Sequence, residues 1–410
     1  MLKRNRSLIL LFGVLLTSLS GCNKKVVDDV IPTPVELVEI DEEFIISTMD
    51  FSVEIFKRSW QGETNVLVSP TSIMVALAMV TNGADTETLA QLEKALGTDI
   101  SLGELNKYLY SYLNTLPNSE KGKFHFANSI WIKDDNLGIR DSFLHVNKDY
   151  YNAEIYQVAF DDTTVEEVNT WVNRNTDGMI PELVENLEPE TVMLLINAVA
   201  FEAKWAVPYT TENIKKDVEF TTINGSKEKV EMMHSEEVIY LENDKVTGFM
   251  KPYANDDYYF VALLPKEEVD ISTYITQISG QEITDLFSNK ETTEVSVLIP
   301  KFSYSFGIKL NDVLVAMGVS DAFSADRADF SKMVDTADHD FYISEVVHKT
   351  FISVDEVGTM AGAVTGVIME TTSAPVDQKV VILNRPFIYM IVDKDTNLPI
   401  FIGVVTSIQP

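Results

Sequence analysis

The chain has 410 residues, 45% of them apolar, with 63 acidic against 32 basic side chains and a formal charge of −31. That apolar fraction excludes a disordered polyanion, and the acidity argues against a nucleic-acid binder, which needs clustered Lys and Arg. A single cysteine excludes a disulfide scaffold and any Cys-rich metal centre, and the length is ample for one large domain or two to three average ones.

Lys3, Arg4 and Arg6 precede a largely apolar run from Leu8 to Leu19. Twelve residues are too few to cross a bilayer, which takes about 20, but they suit the core of a secretory leader. The run ends in Leu19-Ser20-Gly21-Cys22. This resembles the bacterial lipoprotein cleavage box, in which the cysteine becomes the lipidated first residue; an ordinary signal peptide with an incidental Cys is the alternative. The resemblance implies a signal peptide over 1–21, a lipid on Cys22 and a tether over 22–40. Loss of Lys3, Arg4 and Arg6 takes the charge to −34. Asn23 to Ile40 has Pro32, Pro34 and no sustained periodicity, so it reads as a spacer reaching about 50 Å when extended. Asn23, rather than Asp, after Cys22 favours an outer-membrane destination by the same resemblance, periplasmic or surface-exposed.

Asp41 opens a helical pattern in which Ile45, Met49, Ser52 and Phe56 share one face. Ser69-Pro70 suits the start of a second helix, apolar nearly all round from Ile73 to Val80 and so buried, with Gly83 at its end. Thr86 to Leu96 is a third, closed by Gly97. Val165, Val168 and Val172 mark a surface helix carrying Trp171 and stopped by Asn175, Asp177 and Gly178. Val192 to Phe201 is apolar except for Asn197 and reads as a strand buried on both faces. Val295 to Ile299 and Phe302 to Phe306 both alternate, which predicts strand, bulge, strand around Pro300. Val380–Leu383, Phe387–Val392 and Ile400–Val405 are three more strands. Helices early and strands late suggest an α+β fold. Without a Gly/Ser-rich linker, the body reads as one domain over 41–410.

Residues 356–375 follow a good strand, Phe351 to Val354. Every second residue from Thr359 is small or apolar, and none is charged. That period suits a strand in a close-packed sheet, yet Gly358, Gly362 and Gly366 weaken it as a free-standing one. A central strand followed by a loop is the competing reading. A membrane helix is too short here, and a phosphate-binding loop would need a different glycine spacing.

From about residue 41 to Pro410 the chain resembles a serpin. The resemblance rests on Asn65–Ile73, Asn169–Ile180, Asn197–Trp205, Val347–Ala361, Asn384–Phe387 and Phe401–Val405, all in family order. It implies helices around a large mixed sheet and smaller sheets, with an exposed reactive loop at about 356–378. It also implies a suicide substrate of serine proteases rather than an enzyme: the protease forms a covalent acyl complex, and the cleaved loop enters the main sheet. Glu356, Gly358, Thr359, Ala361, Gly362 and Ala363 match the loop hinge. Counting from Glu356 puts the scissile bond at Thr372-Ser373, with Met369 as an alternative and Ala374 or Pro375 favoured by counting back from Pro386. Trp205 matches the residue capping the point where the loop goes in. Ser69, Ser72, Asn197 and His348 match a hydrogen-bonded cluster beneath the sheet; four separately satisfied polar residues are the alternative. A small uncharged Thr372 implies elastase-like or subtilisin-like targets. His125, His145, His234, His339 and His348 show no catalytic or metal-binding spacing, and no cofactor or metal is expected. The partners expected are a serine protease and, through the lipid, a membrane; the chain is expected to be a monomer. The rival class is a non-inhibitory binding lipoprotein on the same scaffold.

Overall fold

The computed structural model describes residues 24–27, 30–97, 100–117, 122–135, 138–188, 190–254, 256–335, 341–359 and 378–409. Asp41 caps α1 (Glu42–Ser59), its carboxylate accepting the Phe44 N–H at 2.9 Å. Met49, Ser52 and Phe56 face inward and Ile45 is half-buried. α2 (Pro70–Thr81) is buried on every side, and Pro70 opens it. Ser69 occupies the cap position, but its hydroxyl makes no capping bond. α3 (Thr86–Ala95), α4 (Leu102–Thr115) and α5 (Asp141–Tyr151) complete the early helices. α6 (Asp162–Asn175) ends where Asp177 and Gly178 take positive φ. α7 (Ile271–Gln277), α8 (Gly280–Ser288) and α9 (Asn311–Ala316) follow later.

Among the described residues the main sheet has seven strands. Their order is β1 (Lys24–Lys25), β5 (Glu154–Val158), β3 (Gly122–Lys133), β6 (Met193–Lys204), β15 (Gly358–Thr359), β14 (Glu345–Val354) and β12 (Phe302–Lys309). β6 is the predicted doubly buried strand. Leu194, Ile196 and Ala198 pack beneath Val168, Trp171 and Val172 of α6, while Met193 and Leu195 join the large core containing α2. The second sheet runs β16 (Lys379–Ile382), β11 (Glu291–Pro300), β8 (Lys227–Glu242), β9 (Val246–Pro252), β10 (Tyr258–Pro265), β17 (Phe387–Asp393), β18 (Pro399–Val405) and β2 (Val66–Val68), with β7 (Ile214–Thr221) on β8. β4 (Gly138–Ile139) and β13 (Val334–Asp335) form a small pair.

Three sequence expectations change. Strands are more frequent in the first half than expected, since β3 and β5 join the expected strand β6 before residue 205. The segments around Pro300 are not one bulged strand: β11 pairs with β8 and β16, whereas β12 pairs with β14 in the other sheet. Alternation gives the pleat of each segment but not its partner, and Lys301 is the corner between sheets.

The third change concerns residues 24–27 and 30–40, which lie along the body rather than standing off it. Lys24 and Lys25 pair with Gln157 and Tyr156 at the edge of the main sheet. The Val26 N–H donates to the Ile155 carbonyl at 3.0 Å. The Thr33 and Val38 N–H groups donate to Asp149 Oδ1 (2.6 Å) and Ser111 Oγ (2.8 Å). Val27 is fully buried, and Val26, Val30 and Ile40 pack on the same core. Proline and mixed charge preclude a helix there, but a few apolar side chains suffice to dock an extended strap. Val27→Ala is expected to cost about 1–3 kcal/mol, whereas Ile31→Ala, at a side chain 83% exposed, should stay within about 0.5 kcal/mol; denaturant unfolding of the two variants checks this.

Candidate functional site

β14 ends at Val354 and the chain reverses at once. The Asp355 carboxylate accepts the Val357 and Gly358 N–H groups at 2.8 and 3.1 Å, and the Asp355 N–H donates to the Gly358 carbonyl at 3.0 Å. This Asx-type turn aims Gly358 and Thr359 between two strands. Gly358 faces Lys204, and Thr359 faces Ala203 on one side and Val354 on the other. Below that point β6 and β14 pair directly, in parallel, from Ala200–Phe351 to Leu194–Glu345. The seam between them is thus parted at one end by two residues and closed for the next seven pairs.

The fit at the parted end is tight. A Cβ on Gly358 would lie 2.1 Å from the Ala203 carbonyl oxygen, so no side chain is accommodated. Thr359 is fully buried, its hydroxyl 2.7 Å from that of Tyr253. Trp205 donates its backbone N–H to Val357 O (2.9 Å) and its indole N–H to Asp355 O (2.8 Å), and its ring stacks on Tyr253 at 4.7 Å. The Tyr209 N–H holds Glu356 O at 2.8 Å. Beneath these rings Lys251 and Glu237 form a buried ion pair at 2.7 Å, the ammonium 5.4 and 4.6 Å from the Trp205 and Tyr209 ring centroids. Lys301 Nζ lies 2.9 Å from both Glu356 and Glu231. Partial burial is the largest influence and works against an ionised Glu356, but the Lys301 hydrogen bond, a backbone hydrogen bond and the Lys301 charge together outweigh it and hold the carboxyl below its ordinary range.

Midway along the closed seam the four predicted cluster residues meet. Asn197 lies opposite His348 on β14 and opposite Asn128 on β3. Its amide nitrogen is directed at Ser72 O (2.8 Å), Ser72 Oγ (2.5 Å) and the side-chain oxygen of Asn128. Its oxygen accepts from His348 Nδ1, because His348 Nε2 accepts the Ser69 N–H at 3.1 Å. Ser69 therefore contributes its backbone and not its hydroxyl, which is buried without a partner. The two acceptor–donor roles fix a neutral imidazole, and complete burial depresses the His348 pKa to about 3.

α6 and the residues after it cover the outer face of this seam. The Asn169 side chain holds Leu183 N and Val184 O at 2.8 and 2.7 Å, and Lys349 on β14 donates to the Glu182 carbonyl. His125 on β3 lies 3.6 Å from Asp177. Asn128, Tyr253, Lys251 and Lys301 belong to the site although the sequence reading singled out none of them. Asn128 carries a usable signal, since like Asn197 it is an amide inside a largely apolar strand stretch; the others are set by partners on other strands, from 14 residues away for Lys251 and Glu237 to 106 for Tyr253 and Thr359. Cys22, His339, Ala361, Gly362, Ala363, Met369, Thr372 and Ser373 lie outside the described residues. The chain is described again from Gln378, whose side chain donates to Glu236 at 2.9 Å. Among the described residues no group of three or more His, Cys, Asp or Glu is placed to hold a metal.

This architecture, with its parted seam, has counterparts among known proteins. Residues 47–408 match the Serpin (serine protease inhibitor) family. The chain belongs to the serpin family. It is 31% identical over 378 residues to an uncharacterized serpin-like protein of Thermococcus kodakarensis, covering 90% of this chain and 86% of that one. It is 28% identical to human neuroserpin, covering 86% and 89%. The crystal structure of the thermophilic serpin tengpin in its native state superposes with a TM-score of 0.91 at 50% identity, over 94% of this chain and 99% of that one. Tengpin in the latent state gives 0.81 at 49% identity, over 91% and 100%. The arrangement described above thus resembles the native state more than the latent one.

Two outcomes follow. Gly358→Val cannot keep its contact with Ala203, so amide exchange over 356–359 should quicken at least about tenfold; unchanged protection contradicts the fit. For His348, the folded pKa lies below the unfolded value of 6.5, so the unfolded chain binds the extra proton first. Its stabilising contribution is complete above about pH 6.5 and declines toward pH 3 by up to about 1.4 kcal/mol per unit. His348→Gln should remove that component of the slope between pH 6.5 and 5, as read by denaturant unfolding.

Proposed function

We propose that this serpin is an inhibitor that traps serine proteases by inserting its cleaved reactive loop between β6 and β14. The observation that carries the reading is the seating of Gly358 and Thr359, which already form the first rungs of the new strand. The protease serine attacks the Thr372 carbonyl, the Thr372–Ser373 C–N bond breaks, the amine of Ser373 leaves with a proton, and an ester joins Thr372 to the protease. Water would normally hydrolyse that ester. Growth of the strand from Thr359 carries the acylated end along the sheet and distorts the protease before deacylation. The hinge suits this course, since Thr359, Ala361 and Ala363 carry no charge into a packed interior. Thr372 is small and uncharged, so elastase-like or subtilisin-like enzymes are the targets; Met369 is the alternative bond. The protein acts as a monomer, exported and held by a lipid on Cys22 at the outer membrane, facing the periplasm or the cell surface.

Family membership alone does not decide for inhibition. Human thyroxine-binding globulin, solved in complex with thyroxine, has the same fold with a TM-score of 0.81 at 25% identity over 90% of this chain and 99% of that one. The uncharged positions Thr359, Ala361 and Ala363 and the seating of Gly358 and Thr359 favour the inhibitor over a binding scaffold. Incubation with elastase and subtilisin is the test. A covalent complex stable on denaturing gels is expected, with Ser373 as the new N-terminus of the released fragment. Thr359→Arg should abolish the complex and leave only cleavage, because the charge would have to enter the buried position beside Tyr253. Cleavage of the wild type without any complex sinks the inhibitory reading.

A further inference from the structure

Three registers fix one level across the main sheet. Lys24 faces Gln157, Gln157 faces Ile132, and Ile132 faces Met193, the first residue of β6. Thr359 faces Ala203, ten residues further along β6, or about 33 Å at ~3.3 Å per residue. The amino-terminal strap therefore meets the sheet at the pole opposite the place where the loop goes in. β3 is antiparallel to β6, β5 is parallel to β3, and β1 is antiparallel to β5. Of the two residues of β1, Lys24 is consequently the one nearer that opposite pole. Cys22 stands two residues before Lys24, within about 7 Å at full extension.

The inserted loop ends at this pole as well. β15 runs antiparallel to β6. Thr372 is thirteen residues beyond Thr359, and Glu190 is thirteen residues before Ala203. The same ladder extended therefore sets Thr372 opposite Glu190, just past Met193. Between β1 and the inserted strand lie β5, β3 and β6, so the two are four spacings apart, or about 19 Å. A protease of about 220 residues has a radius of gyration near 17 Å and is roughly 40 Å across. It cannot hang beside a lipid attached by two residues without meeting the bilayer.

We propose that lipid anchor and trapped protease converge on one pole of the main sheet, and that the strap of residues 24–40 is the slack that accommodates both. The proposal rests on the inhibitory, lipid-anchored reading above. With the strap docked, the anchored pole lies against the membrane and the loop pole faces outward, toward arriving proteases. The strap is held without a covalent link: by the two-residue ladder, the Val26–Ile155 bond, the Lys25–Glu154 ion pair at 3.3 Å, the Val27 side chain and its neighbours, and the bonds at Thr33 and Val38. Peeled back to Ile40, it reaches about 50 Å from that residue, more than the width of the protease.

The test is to lock the strap with Val26→Cys and Ile155→Cys, neighbours across the ladder whose usual spacing near 5.5 Å permits a disulfide. The full chain is purified with its lipid and reconstituted in phosphatidylcholine vesicles, and a secreted Cys22→Ala form of the same double variant stays in solution. The stoichiometry of inhibition of elastase is measured before and after reduction. On vesicles the oxidised protein should need at least about threefold more inhibitor per protease than the same sample reduced, whereas in solution the two should agree. Equal stoichiometry on vesicles overturns the proposal. As a second readout in the wild type, the Val26 amide should lose exchange protection when protease is captured on vesicles and keep it when captured in solution; retained protection on vesicles also overturns it. Absence of a covalent complex in solution, or of lipid on Cys22, removes the underlying reading itself and is distinguishable from both.

Discussion

The structure turns on a side-by-side contact, between β6 and β14, that any strand entering between them would have to break. β6 and β14 complete one another's hydrogen bonds over seven residue pairs, and in the middle Asn197 and His348 join them by a side-chain bond as well. A buried polar group left without a partner costs about 1–3 kcal/mol. Opening the seam therefore meets a barrier even though a strand filling it would satisfy both exposed edges afresh. The difference between barrier and end state is what makes a protein kinetically rather than thermodynamically held. Every feature near the seam serves one side of that difference. The cluster around Asn197 and the cover of α6 keep it shut, while the Asp355 turn and Gly358 start it open.

The hinge shows how finely the two are set. The Asp355 turn, the Trp205 and Tyr209 backbone bonds and the Lys301–Glu356 pair fix the chain as far as Thr359. Thr359 reaches a hydroxyl partner in Tyr253, so its burial leaves no polar group stranded. Nucleation of a strand is the unfavourable step because order comes before most of its hydrogen bonds. Here the two residues that would begin such a strand, Gly358 and Thr359, are already seated.

Much of this was legible in the sequence, for identifiable reasons. Asn197 and His348 stood out because a polar residue inside an apolar strand needs a partner, and the structure gives them each other. Gly358 and Thr359 stood out because a loop too uncharged to be solvated and too glycine-rich to be a lone strand satisfies neither ordinary role. Period-two and helical patterns located most elements. What stayed hidden was pairing at a distance. The alternation on either side of Pro300 looks continuous, although the chain changes sheets there. Lys301, Lys251 and Tyr253 are unremarkable in sequence, and their roles come from Glu356, Glu237 and Thr359, which other strands bring to them. The strap was misread because its composition describes a chain that forms no helix, which is true, and is silent on whether Val27 finds a core, which it does.

Lys301 has a mechanical meaning beyond its ion pairs. It is the single residue between β11 and β12, so it joins the two large sheets covalently, and its ammonium also grips Glu356 at the root of the loop. A pull on the loop is therefore delivered to the corner of the frame rather than to the free rim of one sheet. The load is shared by two sheets before any strand begins to slide.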